Sequence, residues 1–426
     1  MKTSFGRVSF YPNKYHSMLS IEGSNTGILS TPAKKYPSPY ELYLWIDGKF
    51  VPQPAINQLT IRESLWDLLP RLELTLVDDG MFTEKNPIST GMYVSVVANL
   101  GKEQKAVSIP FCVTETSFSP QTLMDNGFRY LNIKGVFGAK ELCGDIMSKC
   151  YEQMPFSAAV EELCDELKLP CEIGVKTNDK MNWYMFNESY ASFLNKGIQR
   201  CSVEDGLPLV YIDRFGKLNL KTTSNLLNTK FVFKRDPEKA VASSVSDGSE
   251  KYFSSWSSFD NSSEVNKFAS GVGITGEYIT DEGSVSYDSD SKKSKWTDKV
   301  NISTEEEGMG RRSFGLGVWN PSVNQNYFKN ILDYKHKNDR LFSSYFTIGV
   351  NACHDVNLAD VVELQMDSIV HDDLNNKSYS GKYMVGSIIH SMNKNNYNMV
   401  LGLFRDGKND DNELKEYHNP LVEAEK

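Results

Sequence analysis

Three glycines have the spacing that comes closest to a cofactor site. Gly271, Gly273 and Gly276 match the G-x-G-x-x-G pattern of a dinucleotide-binding turn. That chemistry requires a helix to open at the third glycine, because the free N–H groups of a helix terminus hold the phosphates. Residues 277–283 do not have the pattern of a helix. We therefore predict a bulged strand at this position and no bound cofactor.

Metal-ligating residues are present, but not at the required spacings. Asp288 and Asp290 begin like a calcium loop, yet Lys292 stands at the next ligand position and the turn glycine is missing. No pair of histidines has the spacing of a zinc site. The histidines are His16, His336, His354, His371, His390 and His418. The sequence predicts no metal site, and it predicts that His390, within an apolar strand, is a hydrogen-bonded structural residue.

Nucleophilic catalysis finds no support either. The chain has no G-x-S-x-G turn, and no cysteine pairs with a histidine in a local signature. A pair of carboxylates for glycoside hydrolysis stays open among the 55 acidic residues, because the separation that matters is spatial. No such pair stands out in the sequence. We predict no catalytic residue and no enzymatic activity.

The composition is that of a folded chain with several cores. A prior of about 150 residues per domain predicts two to four domains for 426 residues. The 21 tyrosines and 22 phenylalanines favour sheets over helix bundles. The net charge of -9 argues against a general nucleic-acid binder, which needs a concentrated basic surface.

The cysteines and the terminus indicate an intracellular site of synthesis. Seven cysteines without a C-x-x-C pair predict reduced thiols rather than a disulfide framework or a zinc ribbon. No run of about 18 apolar residues is present, and the first residues lack the apolar core of a signal peptide. We expect the protein to be made in the host cytoplasm.

The first third of the chain has the pattern of a β-barrel or sandwich. Strands are predicted at residues 41–46, 71–77, 92–98, 109–116 and 128–133, the second of them with strict alternation. Turn dipeptides follow three of the apolar runs, at Asp47-Gly48, Asp79-Gly80 and Asn126-Gly127. Residues 1–37 have no sustained period and are predicted to form an extended arm.

Helical patterns begin after residue 138. We predict a helix over residues 156–167 with Ser157 as its N-cap, and a second over residues 189–201 capped by Asn187. A strand, turn and strand follow over residues 209–220. These elements predict a small α/β unit.

The last half mixes strands with a polar insertion. Aromatic residues argue against a bare linker at residues 243–262, whereas residues 281–307 are the best candidate for a mobile insertion. A helix is predicted over residues 320–334, with Pro321 in its first turn. Two apolar runs, residues 381–392 and 397–404, predict a closing β-hairpin.

Four segments resemble the central baseplate hub protein of contractile phage tails, of the T4 type. They are residues 59–65 leading to Asp78-Asp-Gly80, residues 186–220, the helix from Pro321, and residues 346–403. The last is the most specific, with Gly381-Lys-Tyr383-Met-Val385 leading to Ile388-Ile-His390 and then a polar turn. Phage tail protein D and the hub half of type VI secretion spike proteins look similar over the same elements.

The resemblance implies a mainly β fold with α+β insertions and two similar antiparallel β-barrels in tandem. A small α/β domain lies between the barrels, and the second barrel contains an insertion. The implied division is an N-terminal arm (1–37), a first barrel (38–137), an α/β domain (138–235), a second barrel (236–279 plus 341–407), an insertion and helix (280–340) and a charged tail (408–426).

The resemblance also implies a structural role in a virion tail baseplate. Three chains would form a ring of six barrels that adapts a sixfold tail tube to a threefold central spike. Its channel would pass the tape-measure protein and DNA, and its outside would meet baseplate wedge proteins. No cofactor and no stable membrane insertion are implied. The alternative is a multi-barrel surface module that binds a host glycan through exposed aromatic residues such as Trp256 or Trp296.

Overall fold

The structure, a computed structural model, describes sixteen stretches of the chain. They are residues 40–78, 84–100, 105–120, 129–144, 146–204, 206–223, 229–237, 240, 250–260, 274–280, 283–288, 312–318, 327–341, 344–367, 379–393 and 396–405. The predicted turns at residues 79–80 and 126–127, the N-terminal arm and the C-terminal tail lie outside these stretches.

Strands dominate the described residues. They are β1 (Glu41–Ile46), β2 (Lys49–Phe50), β3 (Ile56–Ser64), β4 (Arg71–Asp78), β5 (Tyr93–Asn99), β6 (Lys105–Pro120), β7 (Arg129–Phe137), β8 (Met147–Met154), β9 (Cys171–Ile173), β10 (Met181–Glu188), β11 (Pro208–Ile212), β12 (Leu218–Thr222), β13 (Thr229–Arg235), β14 (Glu250–Asp260), β15 (Ile274–Thr280), β16 (Gly283–Asp288), β17 (Arg312–Val318), β18 (Ser344–Asn351), β19 (Val361–Gln365), β20 (Gly381–Asn393) and β21 (Tyr397–Arg405). The helices are α1 (Lys140–Gly144), α2 (Phe156–Leu167), α3 (Tyr190–Arg200) and α4 (Tyr327–Leu341). The mainly β fold predicted from the sequence is confirmed.

The first barrel region is a curved sheet in the order β2-β1-β5-β6-β7-β4-β3. Asp47 and Gly48 have φ angles of 47° and 79°, which form the tight turn of the β1–β2 hairpin and let Ile46 face Lys49. The alternation of β4 buries its leucines and exposes the residues between them, as a half-buried strand requires. Strand β3 was not among the five strands predicted in this region.

The second barrel region is a closed ring in the order β13-β19-β20-β21-β18-β14, with β13 also paired to β14. Strand β13 runs parallel to both of its neighbours, so this barrel is not antiparallel throughout. The sequence-based division assigned residues 229–235 to the α/β domain. The strand instead closes the second barrel, because the edges of β14 and β19 both supply backbone partners for it.

The two regions repeat one strand order and differ in the direction of one strand, because β1 runs antiparallel to β5, whereas β13, which takes its place in the second region, runs parallel to β19. In chain order β1, β3, β4, β5, β6 and β7 correspond to β13, β14, β18, β19, β20 and β21, and the spatial order of the six strands is the same. A bulge interrupts β6 at Thr114 and β20 at Gly386, and another interrupts β3 at Asn57 and β14 at Ser254. Because the bulges match, each residue of these strands in one barrel region can be paired with one equivalent residue in the other.

Backbone hydrogen bonds beside the long hairpins repeat as well. A residue in the left-handed region precedes β5 and β19, namely Gly91 with φ of 87° and Ala359 with φ of 65°. Each donates its N–H to a carbonyl one residue before the bulge, at 2.8 Å in both barrels. The carbonyl oxygens belong to Val113 and Val385, whose own N–H groups return a bond to Met92 and Asp360. The likeness of the two halves therefore extends to single hydrogen bonds.

Strands β3 and β20 join the two regions into one 13-stranded sheet. Residues 58–64 of β3 pair antiparallel with residues 387–393 of β20, and we call this pairing the intrachain seam. The closing hairpin β20–β21 predicted from the sequence is confirmed, with Met392 opposite Tyr397. The first half of β20 pairs with β19 and its second half with β3, so one strand belongs to both barrels.

The α/β region packs two helices on two small sheets, β10-β8 and β11-β12-β9. Helix α2 begins at Phe156, whose N–H donates to the buried carboxylate of Asp179 at 2.6 Å, so the predicted N-cap at Ser157 is wrong. Helix α3 is capped by Ser189, which accepts from Ser192 N–H, and not by Asn187. Tertiary structure supplied a distant cap in the first case and a nearer hydroxyl in the second.

A third small sheet has the order β16-β15-β17. The sequence-based division assigned residues 274–279 to the second barrel, but in the described residues they belong to β15, which pairs with β16 and β17 and not with a barrel strand. Strand β16 lies inside the segment 281–307 that was expected to be mobile, so part of that segment is regular structure. Among the described residues α4 begins at Tyr327, and Pro321 lies outside them. Residues 250–260 form β14, in agreement with the argument against a linker there.

Candidate functional site

The glycine pattern and the calcium-like pattern do not form binding sites in the described residues. Strand β15 begins at Ile274 and runs through Gly276 to Thr280, so no helix opens at the third glycine. A strand is therefore present as predicted, but without the predicted bulge: the register shift beside Glu277 places the extra residue in β17, and β15 pairs with β16 without a shift. Gly271 and Gly273 lie outside the described residues. Asp288 ends strand β16, and Asp290 lies outside the described residues.

Metal clusters and membrane-spanning helices are both absent from the part of the chain that the structure describes. There, no group of three histidine, cysteine, aspartate or glutamate side chains could hold a metal ion. Within the same residues, no helix is long and apolar enough to cross a membrane. Six cysteines of that part are free thiols.

Both ring nitrogens of one histidine, His390, have hydrogen-bond partners. His390 on β20 is fully buried, with Nδ1 at 2.8 Å from the Tyr397 hydroxyl and Nε2 at 3.0 Å from Oε1 of Glu63. This confirms the prediction of a hydrogen-bonded structural histidine. His16, His371 and His418 lie outside the described residues.

Glu63 and Arg214 complete a buried polar cluster, defined here as Glu63, Arg214, His390 and Tyr397. The backbone N–H of Arg214 donates to Oε2 of Glu63 at 2.9 Å, and its guanidinium reaches Oε1 at 3.4 Å. Both side chains of this ion pair are about 1% exposed. The pair joins β3 of the first barrel to the turn between β11 and β12 of the α/β region.

The guanidinium of Arg214 also holds a loop of the second barrel. Nη1 donates to the carbonyl of Val356 at 2.7 Å, and Nη2 donates to Asn357 Oδ1 at 3.0 Å and to the carbonyl of His354. The carbonyl of Arg214 itself accepts from Ser108 N–H of β6 at 3.1 Å. One arginine therefore ties together the first barrel, the α/β region and the second barrel.

The pKa shifts in the cluster favour an ionised Glu63 and a neutral His390. Burial alone would raise the pKa of Glu63, but the His390 hydrogen bond and the Arg214 charge outweigh it and lower that pKa. Burial lowers the pKa of His390 despite the neighbouring carboxylate. A neutral His390 then donates Nε2–H to an ionised Glu63 and accepts the Tyr397 hydroxyl at Nδ1. Within the four side chains of the cluster, Nε of Arg214 is buried without a hydrogen-bond partner, and the other polar atoms are paired, which suits a structural cluster.

Glu63 and Arg214 were not predicted as members of a buried cluster. A signal for Glu63 was present, because it stands two residues beyond Ile61 and four beyond Leu59, on the face of β3 that is otherwise apolar. A carboxylate at such a position requires a buried partner. Arg214 lies in a predicted turn, where an arginine carries no such signal.

A cleft of about 510 Å³ lies between the start of β14 and the β20–β21 turn. Its lining residues are Tyr40, Leu100, Ser254, Ser255, Gly349, Val350, Asn351, Ala352, Asn396, Tyr397, Asn398, Met399 and Val400. No carboxylate, histidine, lysine or cysteine is among them, so the lining supplies no general acid–base pair apart from tyrosine hydroxyls.

Two strand edges are open among the described residues. Beyond Val113, the edge of β6 that faces away from β7 has no strand partner there. Beyond Phe253, the edge of β14 that faces away from β18 has none either. Each edge carries an exposed aromatic ring, Phe118 at 56% and Trp256 at 38%. The ring of Trp256 stacks on Phe346 at 5.4 Å, whereas Trp296 lies outside the described residues.

Comparison with known proteins gives structural matches only. No protein-family model and no curated protein matches the sequence. The 43 kDa tail protein of prophage MuSo2 from Shewanella oneidensis is similar in structure, with a TM-score of 0.57 at 12% identity, over 87% of this chain and 100% of that chain. A tail protein from Neisseria meningitidis MC58 is similar with a TM-score of 0.55 at 11% identity, over 86% of this chain and 97% of that chain.

These likenesses define the class of fold. The chain has the mainly β fold of phage tail proteins, with a β-barrel present and few helices. At identities near one residue in ten, the fold is what the two proteins share with this chain. This agrees with the resemblance found from the sequence, which rested on the order of elements and on the closing hairpin.

Proposed function

We propose that the protein is a structural baseplate hub protein of a phage tail. Three chains form a ring of six barrels that adapts the sixfold tail tube to a threefold central spike. The observation that carries this proposal is the internal repeat: one chain holds two barrel regions of the same strand order and bulge positions, joined edge to edge through β3 and β20. A repeated unit with complementary edges is what a closed ring is built from.

The repeat supports a pseudo-sixfold ring in the following way. In the proposed ring, the intrachain seam places the first and second barrels of one chain in neighbouring positions around the pseudo-sixfold axis. A second seam of the same geometry, between chains, would repeat that arrangement, and three chains would supply six barrels. The channel through the ring would pass the tape-measure protein and DNA, and the α/β region and the insertion would lie outside, where baseplate wedge proteins bind.

The tail role is also supported by the two similar structures, both of which are described as tail proteins. On this proposal the protein belongs to the virion baseplate, is made in the host cytoplasm and has no enzymatic activity. The cleft lining supports a structural role, because tyrosine hydroxyls are the only acid–base groups among the residues that line it.

The experiment is a mass measurement of the purified chain by analytical ultracentrifugation, followed by averaged electron micrographs. We expect a trimer and a hollow ring with threefold or apparent sixfold symmetry. A chain that stays monomeric at every concentration, and also with a spike protein added, would contradict the proposal. Measurable affinity for a sugar, lost in Trp256→Ala, would favour the glycan-binding alternative, and clearing of peptidoglycan would favour an enzyme.

A further inference from the structure

The correspondence between the barrels assigns each seam residue an equivalent at an open edge. Counting from the shared bulges, β6 residues 115–120 correspond to β20 residues 387–392. Counting in the same way, β14 residues 255–260 correspond to β3 residues 58–63. The two strands of the intrachain seam thus have their equivalents in the two strands whose outer edges are open among the described residues.

We propose that the outer edge of β6 in one copy of this chain pairs antiparallel with the outer edge of β14 in the next copy. This interchain seam rests on the proposed function, since it is the contact that would close the ring. Its register follows from the intrachain seam, in which Ser391 faces Thr60 and Ile388 faces Glu63. The equivalent pairs are Ser119 with Ser257 and Thr116 with Asp260.

Exposure at the two edges supports this assignment. In the intrachain seam one face is formed by four side chains that are each 0% exposed: His390, Met392, Leu59 and Ile61. Phe118 is the equivalent of His390, and Trp256 is the equivalent of Leu59, yet both rings are exposed in the single chain. In the transferred register they are diagonal neighbours on one face, within reach of each other. Pairing would bury both rings.

The backbone gives a second reason. Each open edge presents a row of N–H and C=O groups that a second strand can bind, and exposed edges of this length are liabilities that proteins cover. Within one chain the two barrels already meet through β3 and β20, and that contact leaves the outer edges of β6 and β14 without a strand partner among the described residues. A heterologous contact, in which β6 of one copy binds β14 of the next copy, uses both edges. Such contacts form a closed ring when the rotations between successive copies add up to a full turn.

The test is a cross-link between two singly substituted chains. Ser119→Cys and Ser257→Cys chains are mixed in full-length form, oxidised with copper phenanthroline, and analysed by denaturing gel and peptide mass spectrometry to separate this bond from those of native cysteines. We expect a dimeric band whose disulfide joins positions 119 and 257. The matched control replaces Ser119→Cys by Tyr184→Cys, an exposed position on β10, and should give no such band.

Failure of the seam and failure of the hub proposal are distinguishable. A trimer without the 119–257 bond would overturn the seam and leave the hub proposal standing. A chain that is monomeric by ultracentrifugation would overturn both. A second pair of variants tests the register at position 116, which would face Asp260 of the next copy. Thr116→Asp should weaken the association constant by up to about fivefold per contact, because two like charges would face each other. Thr116→Lys should not weaken it. Equal effects of the two substitutions would also overturn the register.

Discussion

The two barrel regions share their strand order but differ in what covers the second half of their long strand. In the second barrel, β20 pairs with β3, and His390 is buried beside the ion pair of Glu63 and Arg214. In the first barrel, the same half of β6 is open among the described residues, and the equivalent position holds the exposed ring of Phe118. The comparison teaches that a strand covered by another strand can hold buried, hydrogen-bonded polar side chains, whereas the open half of β6 exposes an aromatic ring at the same position.

The largest expected effect comes from breaking the ion pair of the covered edge. Arg214→Met leaves the buried Glu63 carboxylate without its charge partner, which should lower the free energy of unfolding by about 3–5 kcal/mol. Denaturation by urea, followed by tryptophan fluorescence, measures this change.

The open edge supplies the matched control for that substitution. Lys134 and Glu115 form an ion pair at 3.1 Å between β7 and β6, and both side chains are more than half exposed. Lys134→Met should lower the free energy of unfolding by less than about 1 kcal/mol, because exposed pairs are screened by water. Equal losses in the two variants would show that the cluster does not hold the barrels together.

The next largest effect is the difference in stability between a substitution at position 390 and one at the equivalent position 118. His390→Phe removes the hydrogen bonds to Glu63 and Tyr397 and leaves buried polar atoms unpaired, so the free energy of unfolding should fall by about 1–3 kcal/mol. Phe118→His exchanges an exposed ring and should change the stability of the single chain by about 0.5 kcal/mol or less. Chemical denaturation of both variants measures the difference, and a larger loss at position 118 would contradict the equivalence.

The left-handed residues before β5 and β19 give a smaller and opposite pair of effects. Gly91→Ala places a side chain at φ of 87° and should cost about 1–2 kcal/mol, because the left-handed region is strained for L residues. Ala359→Gly relieves the same strain at φ of 65°, and the greater freedom of glycine in the unfolded chain offsets part of the gain. Thermal unfolding should therefore show a clear loss in the first variant and a change of about 1 kcal/mol or less in the second. A clear loss in both would argue that the backbone conformation at the two positions is not equivalent.

Of the two edges, the covered one should be the edge that acid destabilises. The folded pKa of His390 lies below its ordinary value of 6.5, so the unfolded chain binds the proton more readily. Stability is full above pH 6.5 and is lost as the pH falls from there toward the folded pKa. Glu63, whose pKa is lowered from 4.5, adds a loss in the same direction below that value.

His390→Gln should remove the first part of this decline and leave the part below pH 4.5. Urea midpoints of the wild type and of the variant, compared at pH 7.5 and pH 5.5, measure it. The Phe118→His variant is the control and should decline as the wild type does over this range. An unchanged decline in the His390→Gln variant would assign the acid sensitivity to other groups.

Much of the local structure was predictable. Strand β1 has the predicted bounds, and β4 and the β20–β21 hairpin match to within one residue, because alternation of apolar residues reports the face of a strand. The helices α2 and α3 were predicted to within one residue at each end, whereas both caps were wrong. The cap of α2 comes from Asp179, which lies 23 positions away and carries no local signal.

The buried cluster was only partly predictable. His390 stood out as a polar residue in an apolar strand, and its structural role followed from that. Glu63 and Arg214 are 151 positions apart, and nothing in either segment names the other. The parallel pairing of β13 was not predicted either, since the direction of a strand depends on which edges are free when it docks.

The sequence by itself determined the strongly periodic strands and helices, such as β1, β4, α2 and the β20–β21 hairpin, and the tight turn at Asp47 and Gly48, but not β3 or β16. Periodicity and turn chemistry act over a few residues, and those residues are contiguous. The tertiary structure decided which strands are neighbours, which barrel edge is covered, and where the buried charges meet. Those outcomes depend on backbone edges and charges that lie hundreds of residues apart, and only the packed chain brings them together.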